Sequence, residues 1–177
     1  MQKPLSTAII GGGATGLFLA TRLFAAHGSV AVFERGNRVG RKLSATGNGQ
    51  GNISNLAVEE AEYFSVAQGG NDLARSIIAR YPYCKLKAHM EKLGVLLLPD
   101  DRGRVYPTCR QASAITDALR FAVEQKGIPM YLNTQVTKLE KQGDLFRITA
   151  KTEDGEREYL AKSVVLCTGG KASKNFG

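Results

Sequence analysis

Gly11, Gly13 and Gly16 stand at the spacing G-x-G-x-x-G, and an acid, Glu34, follows them. Each glycine at this spacing has a separate physical task. The first lets the chain turn tightly off a strand, the second lets backbone N–H groups approach a pyrophosphate, and the third lets a helix pack against the strand. The N-terminus of that helix directs unpaired N–H groups and the positive end of its dipole at the phosphates. Glu34 is placed to accept hydrogen bonds from a ribose diol. A glycine-rich turn that binds nothing has the same bare spacing, so the flanking elements decide between the two readings.

Those elements are in the required order. The apolar, β-favouring run Thr7–Ile10 precedes the glycines, and a helical pattern from Leu17 to Ala26 follows them. Leu17, Ala20, Leu23 and Phe24 share one face of that helix, and Gly28 has the place of its terminating residue. His27 falls in the last turn, where a cation suits the helix dipole. Ser29–Phe33 is a second short strand, and it ends at Glu34. Strand, glycine turn, helix, strand and acid together point to a bound nucleotide, without saying which.

Residues 35–55 break the pattern. They hold Gly36, Gly40, Gly47, Gly49 and Gly51, with Arg41, Lys42, Asn48, Asn52 and Asn55 among them and almost no periodicity. A structureless loop of this length inside a compact domain is usually functional. Glycines allow close backbone approach and the cationic and amide side chains supply donors, so the loop reads as a second wall of the nucleotide site. The alternative is a flexible linker, which the lack of Ser, Glu and Pro bias opposes.

Downstream, helices are expected over about 57–67, 71–80 and 84–93, then a short strand at Val95–Leu98 and a turn at Pro99-Asp100-Asp101. Thr108 and Gln111 have capping-box spacing. Behind them Ile115, Ala118, Leu119, Ala122 and Val123 form a core-facing stripe that stops at Gly127. Ile128–Leu132 reads as a third strand, with Pro129 tolerable near its start. Strands at 136–141, 145–151 and 157–161 form a meander, and Ser163–Cys167 is a last buried-looking strand that runs into Thr168-Gly169-Gly170.

Composition bounds the class. The chain has 177 residues, 43% hydrophobic, and a mean hydropathy of −0.18, which fits one soluble globular domain carrying at most a modest insertion. No apolar run has the length of a membrane span, and no secretory signal precedes the first strand, so the cytoplasm is the expected location. Three cysteines without C-x-x-C spacing suit reduced, mostly buried thiols. With only His27 and His89 available, no metal site is expected. The glycosylation pattern Asn52-Ile53-Ser54 carries no weight without a signal. Net charge is +8, and residues 1–56 hold six basic residues against the single acid Glu34. A phosphate-rich ligand and a nucleic acid would both explain that excess. Its position beside the fingerprint favours a cofactor, with a nucleic acid as the weaker reading.

A methyltransferase also uses a glycine turn and an acid, but it needs neither a second glycine loop nor a meander leading to T-G-G. An NAD dehydrogenase repeats βαβ units, which the meander here interrupts. The residues resemble the two-dinucleotide-binding flavoproteins in three places: Gly11–Gly16 with Glu34-Arg35, Gly40-Arg41-Lys42, and Leu166-Cys167-Thr168-Gly169-Gly170. More narrowly, Gly40–Leu43, Thr46–Gly49, Asn52–Asn55 and Gly103–Pro107 resemble the bacterial NAD(P)/FAD-dependent oxidoreductases, also labelled aminoacetone-oxidase-like or BaiN-like.

The resemblance implies an α/β fold: a Rossmann-like FAD-binding domain over 1–177, three-layered, with a parallel sheet, a β-meander crossover and a mostly helical insertion at 57–107. It implies FAD, with pyrophosphate at Gly13, Ala14, Thr15 and Gly16 and the adenosine ribose at Glu34 and Arg35. It further implies cofactor contacts from Arg41, Lys42, Gly47, Asn48, Gly49, Thr168, Gly169 and Gly170, and adenine against the backbone of Val136. NAD(P)H is the candidate electron donor and a small molecule the candidate substrate.

Two departures matter. The family's loop continues with arginine and cysteine where this chain has Gln50 and Gly51, so a thiol and a charge are missing there. The family also continues well beyond residue 177, which marks this chain as an N-terminal portion whose partner would be the C-terminal half. By itself such a portion could be a non-catalytic nucleotide-binding fragment. No catalytic residue is identified. Tyr106 and His89 are the mild acid–base candidates; packing is the ordinary role of Tyr106, and His89, with Met90 and Leu93 nearby, reads as a surface or boundary histidine.

Overall fold

The computed structural model describes residues 3–23 and 29–170. It divides into two compact units, Met1–Leu43 with Leu119–Gly177, and Ser44–Ala118.

In the first unit, β1 (Leu5–Ile10) runs into the glycine turn and α1 (Ala14–Arg22), and the chain returns as β2 (Val30–Phe33). β1 alternates cleanly. Ile9 faces the helix, where Leu17 is fully buried, while Ala8 and Ile10 face a core shared with Ala31, Phe33, Ile148 and Ala161. β2 is buried at all four positions, as a central parallel strand must be. α1 ends earlier than its hydrophobic pattern suggests, since Leu23 already has extended backbone angles. The expectations for Phe24, His27 and Gly28 lie outside the described residues. The four-residue α2 (Arg41–Ser44) closes this part of the chain.

The second unit opens with the two-residue strand β3 (Ser54–Asn55). The helix expected over 57–67 is instead a turn at 57–60 followed by irregular chain; its acids and alanines favour a helix, but none of these residues is buried. α3 (Gly70–Arg80) and α4 (Tyr83–Lys92) lie within a residue of the ranges expected from the sequence. β4 (Leu97–Pro99) and β5 (Arg104–Pro107) form an antiparallel hairpin, and β3 pairs with the far side of β5. The Asp100 carboxylate accepts the backbone N–H groups of Arg102 and Arg104 and the Arg104 Nε–H, at 2.8–3.0 Å, and so fixes the turn. Desolvation pushes the Asp100 pKa up, and those hydrogen bonds outweigh it, leaving the carboxyl below its ordinary value. Thr108 does not cap a helix. Its N–H donates to Leu96 O at 2.9 Å and prolongs the hairpin, so α5 (Ala112–Gln125) starts four residues later. Ile115, Leu119 and Val123 on α5 are buried, as the stripe requires.

The chain then re-enters the sheet as β6 (Met130–Tyr131), followed by β7 (Gln135–Gln142), β8 (Leu145–Thr152) and β9 (Gly155–Leu166). The sheet order is β6-β2-β1-β9-β8-β7. Two strands read separately from the sequence, 157–161 and 163–167, are one. The first part of β9 pairs antiparallel with β8, and its second part pairs parallel with β1. Ala161 is the hand-over point, opposite both Phe146 and Leu5. One strand thus ends the meander and completes the parallel order β6-β2-β1-β9.

Candidate nucleotide site

In open parallel sheets ligands bind beyond the carboxyl ends of the strands. Three such ends meet in the first unit: Gly11 after β1, Glu34 after β2 and Cys167–Gly170 after β9. Gly11 N–H donates to Phe33 O at 2.8 Å and Cys167 N–H to Ile10 O at 2.7 Å, so the three ends are tied together by backbone. Gly11 has φ +112°, and a Cβ there would collide with Cys167 O. A Cβ on Gly16 would collide with Gly11 O. Both glycines are therefore demanded by the protein's own packing. Gly13 differs: its backbone is extended (φ −82°) and nothing lies within 4 Å of where its Cβ would be. Its glycine leaves open space.

α1 begins at Ala14, with Gly13 as a cap that has no side chain. Leu17 N–H donates to Gly13 O at 3.0 Å and closes the first turn. The N–H groups of Ala14, Thr15 and Gly16 therefore have no acceptor within the helix, and the Ala14 and Thr15 positions are exposed.

Glu34 is held by backbone. Its Oε2 accepts the Gly12 N–H and its Oε1 accepts the Gly36 N–H, both at 2.8 Å. A carboxylate has about four lone-pair positions, so each oxygen keeps capacity for one more donor, as a vicinal diol would supply. Gly12 also accepts the Gly40 N–H at 2.8 Å, which folds residues 35–40 back against the glycine turn. A Cβ on Gly12 would meet Val39 Cγ1 at 2.7 Å and Glu34 Cβ at 3.1 Å. The sequence places Gly12 inside the glycine turn and Gly36 and Gly40 in the loop read as a second wall, but singles out none of the three as a contact. Gly36, two residues beyond an acid that can accept its N–H, was the readable signal.

The remaining candidates of this unit group as follows. Arg35 and Arg41 are exposed, on the loop and at the start of α2. Lys42 Nζ donates to Gly170 O at 3.0 Å across 128 residues of sequence, and Thr168, Gly169 and Gly170 are exposed beside it. Thr134 N–H donates to Glu34 O at 2.9 Å, which brings the start of β7 to the acid. Val136, half-buried there, packs on the core cluster next to a register shift between Val136 and Lys138. Cys167 is buried, and burial pushes its thiol pKa up.

Gly47, Asn48 and Gly49 belong to the second unit. All three have positive φ (56°, 54° and 82°) in a turn closed by Gly49 N–H and Gly51 N–H to Thr46 O, both at 3.0 Å. Gly49 O accepts the Ala112 N–H at 2.7 Å. Gly51 is buried with φ +77°, and a Cβ there would approach Ala112 Cα at 2.9 Å and Ile115 Cδ1 at 3.0 Å. The side chain missing at this position thus makes room for α5. In the same unit Tyr106 is buried, with the guanidiniums of Arg110 and Arg104 at 4.4 and 5.9 Å from its ring centroid, and His89 is buried on α4. Cys84 and Cys109 are exposed free thiols, contrary to the expected burial. Among the described residues no group of three or more His, Cys, Asp or Glu could hold a metal, and no helix is long and apolar enough to cross a membrane.

The parallel order, the glycine turn, the acid after the second strand and the inserted meander define a Rossmann-like domain of the FAD-binding type. The chain belongs to the HI0933-like protein Rossmann domain family, whose model matches residues 5–177. It is 32% identical over 173 residues to a 3-dehydro-bile acid delta(4,6)-reductase of Clostridium scindens, covering 96% of this chain and 40% of that protein. It is 27% identical over 178 residues to a ribosomal RNA dihydrouridine synthase of Haemophilus influenzae, covering 100% of this chain and 43% of that protein. Its fold is similar to that of CabE, an aromatic hydroxylase from angucycline biosynthesis, with a TM-score of 0.61 at 17% identity, covering 96% of this chain and 32% of the other. The chain therefore spans about two fifths of the curated relatives it matches.

Proposed function

We propose that the first unit holds the ADP half of FAD, and that the whole protein is a flavin-dependent oxidoreductase. The observation that carries this reading is the pair Gly12–Glu34. A carboxylate anchored by two backbone N–H groups, with acceptor capacity left over, stands beside an open glycine-capped helix N-terminus. The residues fit the cofactor. Gly13, Ala14, Thr15 and Gly16 would take the pyrophosphate, Glu34 and Arg35 the ribose, and the backbone of Val136 the adenine. Arg41, Lys42, Thr168, Gly169 and Gly170 would line the path towards the flavin. Bound flavin would supply hydride chemistry, and the protein's part is to position and tune it.

NAD(P)H as donor, a small organic substrate and a cytoplasmic location belong to the same proposal. The test is to add FAD to the purified 177-residue chain, remove the excess and record its spectrum. Retained flavin bands near ~370 and ~450 nm support the reading. A chain that takes up no FAD is the non-catalytic fragment.

A second reading concerns the substrate alone. The excess of basic residues before residue 57 and the similarity to a ribosomal RNA dihydrouridine synthase favour an RNA. It predicts RNA binding that falls steeply with salt. Absence of binding at low salt removes it.

A further inference from the structure

A cavity lies in the first unit, at the end of the parallel strands opposite the glycine turn. Its volume is about 390 Å³, and it is bounded by Leu5 at the start of β1 and Ser29 just before β2. Leu5 and Gly11 are six residues apart along an extended strand, which at ~3.3 Å per residue separates the cavity from the glycine turn by roughly 20 Å. It is not part of the nucleotide site.

Its walls combine aromatic surface with an excess of donors. Tyr131 and Tyr159 line it, their ring centroids 5.5 Å apart, and both rest on Phe33 at 5.2 and 4.9 Å. Around them stand Lys3, Arg147 and Glu158. The ammonium and guanidinium can only donate, while the carboxylate can only accept, so the rim has one more cation than anion. Arg147 is loosely paired: its Nη1 is 3.6 Å from Glu158 Oε1, too long for a hydrogen bond, and its side chain is 39% exposed. A planar fork of donors matches a carboxylate.

We propose that this cavity binds a small aromatic monocarboxylate, with its ring against Tyr131 and Tyr159 and its carboxylate on Arg147 and Lys3. The size fits, since small-molecule pockets are mostly ~300–1,000 Å³ and this one is near the lower limit. The flat tyrosine faces favour an aromatic ring over a saturated one. The single surplus cation matches one negative charge.

The probe is sodium benzoate, titrated into the 177-residue chain by calorimetry, with benzamide, acetate and cyclohexanecarboxylate as controls. Saturable benzoate binding is expected, at least tenfold tighter than any control. Arg147→Met should weaken it at least tenfold and Lys3→Ala by less. Circular dichroism reports whether Arg147→Met has folded. Lys3→Ala and proton shifts of the Tyr131 and Tyr159 rings on adding benzoate are readouts that do not depend on that variant. Absence of saturable binding overturns the proposal, as does equal affinity in a folded Arg147→Met variant or equal affinity for acetate. Saturating FAD should leave the benzoate affinity unchanged. A chain that binds no FAD leaves this test intact.

Discussion

The Gly12 N–H donates to Glu34 Oε2 at 2.8 Å, joining the turn after the first strand to the acid after the second. The other oxygen of the same carboxylate accepts the Gly36 N–H. Glu34 therefore has a structural task beside its proposed ribose contact: it fixes the two backbone segments that border the site. That double role has measurable consequences.

Glu34→Ala leaves the Gly12 and Gly36 N–H groups without their acceptor. Losing a partner for a part-buried donor costs about 1–3 kcal/mol, so urea unfolding should show a lower midpoint at unchanged slope. FAD affinity should fall as well, and by more than in Gln50→Ala. Equal losses of affinity in the two variants would argue against a ribose contact at Glu34.

The glycines of the fingerprint should separate by mechanism. Gly16→Ala puts a Cβ into Gly11 O and should destabilise the fold strongly. Gly13→Val meets no protein atom within 4 Å of its Cβ and needs no positive φ. At the N-cap of α1 valine should cost about 1 kcal/mol, so the chain should stay folded yet fail to retain FAD. A folded Gly13→Val chain that binds flavin normally would remove the pyrophosphate assignment.

Lys42→Met deletes the contact to Gly170 O. Because this contact is exposed, stability should change by less than ~1 kcal/mol. Flavin retention, measured by fluorescence after gel filtration, should fall more than stability does.

Gly51→Cys restores the residue type that the resembling family carries. Here it should destabilise by about 1–3 kcal/mol, because the new Cβ meets Ala112 and Ile115 at a backbone with φ +77°. An unchanged unfolding midpoint would show that α5 can move aside.

The thiols and Asp100 give the pH behaviour. Burial raises the Cys167 pKa, so the folded state favours its neutral thiol. That contribution is complete below the ordinary thiol range and is lost as pH rises through the raised value. Under native conditions iodoacetamide should label Cys84 and Cys109 well before Cys167, as peptide mass mapping would show. The Asp100 pKa is lowered, so its support of the β4–β5 turn is present above the ordinary carboxylate range and is lost on acidification. Amide exchange at Arg102 and Arg104 should quicken there.

Much of this was legible in the residues because the interactions concerned are local. The fingerprint glycines, the apolar, β-favouring runs of Thr7–Ile10 and Val30–Phe33 and the stripe on α5 depend on neighbours a few positions away. Such local patterns survive in the sequence. The misreadings share a different cause. The helix expected over 57–67 had suitable composition but no surface to bury against, and Thr108 was claimed by the hairpin through Leu96 before it could cap α5. The meander strand and the last parallel strand are one because Ala161 has β8 on one side and β1 on the other, pairings that no local pattern encodes. The sequence by itself marked Gly11–Gly16, with Glu34 after the next strand, as a turn of the nucleotide-binding kind. Only the tertiary structure decided that Gly12, Gly36 and Gly40 hold Glu34 and its loop in place, and that Lys42 reaches Gly170. Those contacts join positions as far as 128 residues apart, and they arise when parallel pairing brings the carboxyl ends of β1, β2 and β9 together.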